Sequence, residues 1–182
     1  MKNGVKNSTF RVAFCGIIAA LALALMLLTS LVPIGTYAFP CFSGIFIAAV
    51  VIEYGWKWGL GVYAVVSVLS LFLAGDKEAV LYFIALFGYY PILKSLIERI
   101  NKNLIEWILK LLVFNTAAVT SYFIMSFIFS ISFDDFGILG EYGAYIFLAI
   151  CNVVFVIYDI GISRAASFYI FILHDKVKKI IK

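Results

Sequence analysis

Charge is what this sequence has least of. Only 13% of its 182 residues are Asp, Glu, Lys or Arg, about half of the roughly 25% usual in soluble domains. Too few charges remain to coat a water-facing surface, which excludes an ordinary soluble globular domain. Histidine is scarcer still. His174 stands alone beside a basic cluster with no group of carboxylates near it, so no histidine metal site can be assembled. The three cysteines, Cys15, Cys41 and Cys151, lie far apart inside apolar segments and without metal-ligand spacing. They are expected to be small packing residues rather than a disulfide, a zinc site or a nucleophile. There is no Walker-type phosphate loop, no G-x-S-x-G and no H-E-x-x-H. No catalytic residue, cofactor or metal is therefore expected, and any work against a gradient must draw its energy from a partner or an ion.

What the chain has is hydrophobic residues, 65% of the total. They fall into six runs, at about Phe10 to Val32, Tyr37 to Ile52, Trp58 to Leu73, Ala79 to Leu96, Ile105 to Ile131 and Tyr142 to Leu173. About 20 apolar residues cross a hydrocarbon core roughly 30 Å thick, so the second and third runs are near the short limit. Lipid offers no hydrogen-bond partners to the backbone, which leaves helices or a closed barrel. Continuous apolar runs without period-2 alternation exclude the barrel. The expected fold class is an all-α integral membrane protein of six transmembrane helices, a single membrane domain over residues 1–182 with no soluble domain. The first run is too long for a signal peptide and lacks a small-residue cleavage pattern, so it is retained as a helix.

Drawing the six runs as successive spans places 13 of the 14 Lys and Arg residues on one side. These are Lys2, Lys6, Arg11, Lys57, Lys94, Arg99, Lys102, Lys110, Arg164, Lys176, Lys178, Lys179 and Lys182; only Lys77 lies opposite. Positive residues are retained in the cytoplasm during insertion, so both termini are expected there, in a multi-pass protein of the plasma membrane. The outer loops carry Asp76, Glu78, Asp134, Asp135 and Glu141, a mildly acidic face. The basic cluster at Lys176 to Lys182 fits anionic lipid, and no nucleic-acid partner is expected. At the inner interface, Tyr54, Trp56 and Trp58 are anchors, and Glu53 and Lys57 can pair if their helix continues.

Small residues recur on the first span at Gly16, Ala20 and Ala24. Such a stripe lets another backbone approach closely, but spacing alone leaves open whether the partner is a helix of this chain or of another. The opening Arg11-Val-Ala-Phe-Cys-Gly-Ile-Ile-Ala-Ala-Leu-Ala-Leu-Ala resembles the first helix of the substrate-binding S components of energy-coupling factor (ECF) vitamin transporters. The Gly55-Trp56-Lys57-Trp58-Gly59 link is similar to the Gly-x-Lys-Trp-Gly connection of that family. The likeness covers the chain in layout and two short stretches in motif; none of the riboflavin, thiamine, biotin or folate signatures is present. It implies a high-affinity specificity subunit for a vitamin or similar small micronutrient. Gly16, Ala20 and Ala24 would dock on a transmembrane coupling subunit that works with two cytoplasmic ATPase subunits. The rival from another class is a non-transport scaffold or assembly factor.

The same resemblance implies a small-molecule pocket opening on the outer side, where polar groups inside the spans become informative. Asn152 is the strongest candidate, about ten residues into the last span and so roughly 15 Å deep. Tyr145 and Asp159, seven residues to either side, share its face; Asp159 is expected to pair with Arg164 or a nearby Lys, or else to serve the ligand. On the fifth span Ser121 and Tyr122 are placed for substrate, while Asn115 is expected to bond between helices. Tyr37 and Phe39, in a Pro- and Gly-rich loop, can stack on a flat ring or belong to an aromatic belt. Pro91 removes one helix hydrogen bond and is expected to kink the fourth span about one turn earlier. If the orientation is right, Cys41 reacts with an impermeant thiol reagent from outside faster than Cys15; equal labelling from outside would reject it.

Overall fold

The computed structural model describes residues 2–32, 35–129 and 143–174, apart from the side chains of 2–7, 125–129, 143–145, 147, 173 and 174. Asp134, Asp135, Glu141 and the C-terminal lysines thus lie outside what is described, as do the side chains of Lys2, Lys6, Tyr145 and His174. Helix α1 spans Lys2–Leu28, α2 Ala38–Tyr54 and α3 Trp56–Leu73. The fourth apolar run is broken into α4 (Lys77–Tyr82), a π-helical turn (Phe83–Phe87) and α5 (Tyr90–Ile97), closed by a short 3₁₀ turn (Glu98–Ile100). Then come α6 (Asn103–Phe129) and α7 (Gly143–Tyr169), which ends in a π-helical turn at Ile170–His174. No strand occurs among the described residues.

Five helical stretches are long and apolar enough to cross a membrane, namely Ser8–Leu28, Trp56–Leu73, Lys77–Ile100, Asn103–Ile124 and Leu148–Ile172. Helix α2 is apolar but shorter, at 17 residues, or about 26 Å at 1.5 Å per residue. This is the composition of a multi-pass membrane protein. The outward faces agree, since Phe72, Leu104 and Phe171 are 78%, 82% and 90% exposed, a belt that water would penalise and lipid accepts.

Helix α2 holds the centre, touching α1, α3, α5 and α7. Its one face joins Ile47 and Val50 to Ala22 and Met26 of α1, Val62 and Val66 of α3, and Phe83. Its other side carries Ala48 into a second cluster with Tyr90, Phe114, Phe155, Tyr158 and Ile162. Ser43 of α2 donates to the Ala22 carbonyl at 3.0 Å, a polar tie that small residues permit at close range. The connection to α3 is a single glycine, Gly55, at φ 86° and ψ 173°, a conformation almost confined to glycine. Because α2 stops there, Glu53 and Lys57 do not pair as on one continuous helix. Tyr169 donates to Glu53 at 2.9 Å, and the Lys57 amine lies 5.6 Å from the Trp56 ring centroid.

The two ends of the bundle carry different side chains. At one end sit Arg11, Glu53, Tyr54, Trp58 and Tyr169. At the other, the Ser30 hydroxyl accepts from the amides of Gly75 at 2.8 Å and Asp76 at 3.3 Å. Thr36 donates to Asp76 at 2.8 Å, and Asp76 caps α4 by accepting from the Ala79 amide at 3.0 Å.

The break in the fourth run begins earlier than Pro91 alone requires. Gly88 N–H reaches back to the Phe83 carbonyl at 2.7 Å, five residues away, which frees the Ile84 carbonyl; Pro91 has no N–H for the Phe87 carbonyl. Each orphan finds a tyrosine. Tyr63 of α3 donates to Ile84 at 2.8 Å and Tyr158 of α7 donates to Phe87 at 3.0 Å. Gly88 is needed for the close approach, because a Cβ there would meet the Phe83 carbonyl and the Tyr63 ring at 2.8 Å. Tyr158→Phe should therefore lower the unfolding free energy by about 1 kcal/mol, measured by denaturant titration in detergent; an unchanged midpoint would show that the Phe87 carbonyl has another partner.

Candidate functional site

A cavity of about 380 Å³ opens between the broken fourth run and α6, within the range of small-molecule sites, about 300–1,000 Å³. Ala85 and Tyr89 form one wall; Leu112, Val113, Thr116, Ala117, Thr120, Ser121 and Ile124 form the other. The π-helical turn creates the first wall by displacing the backbone around Ala85, and the helical period of α6 supplies the second. The wall's hydroxyls are engaged locally. Thr116 donates to Leu112 at 2.8 Å, Thr120 to Thr116 at 2.8 Å and Ser121 to Ala117 at 2.7 Å, so each presents mainly an acceptor to the cavity. No charged side chain lines it.

Of the ligand-binding residues expected from the sequence, Ser121 alone lines this space. Tyr122 is half-buried beside it, its ring 6.2 Å from Phe123. Tyr37 is at the end of the bundle near α4, where it donates to Glu78 at 3.1 Å and packs against Tyr82 at 5.1 Å between centroids. Phe39 folds its ring back over Gly35. Asn152 is paired with Asn115 of α6, each amide donating to the other's carbonyl at 2.9 Å. Each also donates to its own helix, Asn115 to Leu111 at 2.8 Å and Asn152 to Leu148 at 2.9 Å. The pair is an interhelical clasp with both amide groups' hydrogens committed, as expected for Asn115. The side chain of Tyr145 lies outside the described residues.

The stripe on α1 faces away from the bundle. Gly16, Ala20 and Ala24 are exposed, and nothing approaches within 4 Å of a Cβ built on Gly16. The opposite face, Cys15, Ile18, Ala22 and Met26, makes the internal contacts.

A buried charge cluster was only half visible in the sequence. Asp159 of α7 accepts from Tyr90 at 2.5 Å, from Lys94 and from Lys110 at 3.3 Å. Lys94 also donates to the Asp159 backbone carbonyl at 2.9 Å and lies 3.3 Å from Glu98. Lys110 donates to Glu98 at 2.8 Å. Lys94, Lys110 and Asp159 are each 4% exposed, and with Glu98 their formal charges cancel. Asp159 thus pairs with lysines of α5 and α6, while Arg164 is exposed. Lys94 and Lys110, counted above as interface charges, are instead buried members of this cluster. Their positions inside apolar runs, with Asp159 at a matching depth, were the available signal.

Among the described residues no three His, Cys, Asp or Glu side chains are grouped to hold a metal ion. Comparison with known protein families, with curated proteins and with solved structures returns no match.

Breaking a buried charge pair from one side costs about 3–5 kcal/mol. Asp159→Asn should therefore destabilise the protein by about that amount and Arg164→Gln by far less, read from unfolding in detergent. Adding Lys110→Met to Asp159→Asn should restore part of the loss, and strict additivity would mean the groups do not act together.

Proposed function

We propose that this chain is the substrate-binding S component of an ECF-type importer for a vitamin or similar small micronutrient. In this reading all six apolar helices cross the plasma membrane, the short α2 included, and both termini are cytoplasmic. The ligand enters from outside, and the chain binds without catalysing any reaction. A transmembrane coupling subunit docks on Gly16, Ala20 and Ala24 and works with two cytoplasmic ATPases.

The observation that carries the reading is the outward turn of the small-residue stripe. A face this smooth packs best against another helix, and no helix of the described chain occupies it. The cavity beside α6, with Tyr89 and Ser121 in its walls, supports a binding subunit over a non-transport scaffold, which needs no such space. Tyr37, Phe39, Tyr122, Tyr145 and Asn152 remain proposed ligand-side residues. For Asn152 the ligand would take only the carbonyl acceptor left by its clasp with Asn115.

Two measurements test this. Protein purified from ligand-rich growth should carry a small molecule identifiable by mass spectrometry, and an empty protein would reject the binding role. Ala20→Trp should abolish co-purification with a coupling subunit while leaving that ligand bound; undisturbed association would reject the docking face.

A further inference from the structure

The cavity beside α6 has no counter-charge to offer, and the hydroxyls of its α6 wall have already given their hydrogens away. None of its lining side chains carries a charge. On the fourth run the charged residues stop at Glu78 and resume at Lys94, to either side of the wall at Ala85 and Tyr89. On α6 they are Glu106 and Lys110, both ahead of Leu112, where the cavity starts. Lys94 and Lys110 are in turn neutralised by Glu98 and Asp159, and Lys77 donates to the carbonyls of Leu71 and Ala74. An ion seated in the cavity would therefore find no partner of opposite sign among the described residues.

The hydrogen bonding is equally one-sided. Thr116, Thr120 and Ser121 each give their hydrogen to the carbonyl four residues back, at 2.8, 2.8 and 2.7 Å, and each oxygen keeps a lone pair. The α6 wall thus accepts hydrogen bonds. The facing wall adds the methyl group of Ala85 and the ring of Tyr89, which stands edge-on to Tyr63 at 6.5 Å between centroids. Leu112, Thr116, Thr120 and Ile124 recur every fourth residue along α6 and are exposed, within the stretch Asn103–Ile124 that is long and apolar enough to cross a membrane. The mouth therefore opens sideways, at the depth of the hydrocarbon. We infer that the α6 cavity takes an uncharged, mainly apolar molecule carrying an O–H or N–H group, which donates to the hydroxyls of Thr116, Thr120 or Ser121.

An apolar body matches the aliphatic walls, and its donor meets oxygens that an apolar body alone would leave unmatched. A carboxylate or phosphate placed there would lose its hydration with no cation to replace it. A lipid acyl chain has the right polarity but no donor. The inference rests on the α6 cavity being the ligand site of the importer reading, and it narrows the micronutrient to molecules that dissolve in the bilayer.

Titration calorimetry of the full chain in detergent tests it with three probes of one shape, naphthol, its methyl ether and naphthoate. Naphthol should bind saturably, the ether about fivefold more weakly for want of the donor, and naphthoate not at all. Partition into the micelle favours the ether, so a preference for naphthol has to come from the protein. Replacing all three acceptors, by Thr116→Val, Thr120→Val and Ser121→Ala together, should bring naphthol down to the affinity of the ether and leave the ether unchanged. Ala117→Phe, which fills the cavity, should abolish both. Naphthoate binding as tightly as naphthol, an undiminished naphthol preference in the triple variant, binding that survives Ala117→Phe, or no saturable binding by any probe overturns the inference. Unchanged helical circular dichroism excludes misfolding as the cause of a loss. A charged molecule carried through purification would overturn the inference while leaving the importer reading standing; an undisturbed coupling-subunit complex in Ala20→Trp would do the reverse.

Discussion

A polar group inside this bundle has no water to turn to, and the chain meets that constraint in three separate ways. At the break between α4 and α5, the carbonyls of Ile84 and Phe87 lose their helical partners and accept from Tyr63 and Tyr158. Between α6 and α7, Asn115 and Asn152 satisfy each other. Deeper toward the basic end, Lys94, Lys110, Glu98 and Asp159 cancel one another's charge. Each solution joins elements distant in sequence, so polar satisfaction also sets the tertiary arrangement. Apolar contact cannot do this alone, because lipid tails are as good a partner for Leu or Ile as another helix is.

These ties are unevenly distributed. Helices α1 to α3 and the Phe83 region share one dense apolar cluster. Helix α6 is held mainly by Lys110, by the stacking of Phe114 on Phe155 at 4.3 Å, and by Asn115. All three lie in the first half of α6, and the cavity runs alongside the same helix from Leu112 to Ile124.

Much of this was legible in order along the chain and little of it across the chain. The apolar runs mark most helix bounds to within a few residues, since a continuous run of that length has no other outcome in lipid, but α1 begins at Lys2, well before its run. The grouping of Arg11 with Tyr54 and Trp58 follows from counting alternate ends. Pro91 announces a break, yet the π-helical turn starts at Phe83 because Gly88 permits a close approach that proline rules do not mention. The partners were hidden. Tyr158 is 71 residues from Phe87 and Asp159 is 65 from Lys94, and no local pattern connects such pairs. Spacing identified Gly16, Ala20 and Ala24 as a smooth stripe, but only the packed neighbours of Cys15 and Ala22 reveal that the stripe looks outward. The amides of Asn115 and Asn152 were visible as unusual residues; that they are complementary to each other depends on the relative rotation of two helices.

The single-glycine link at Gly55 bears on how the protein is made as well as how it stands. Helix α2 is shorter than the hydrocarbon core is thick, and no loop separates it from α3 that could rest in water while the first of the two is threaded. The two helices therefore form one hairpin about Gly55 and reach the bilayer together. Insertion of the central helix thus waits for the helix that follows it.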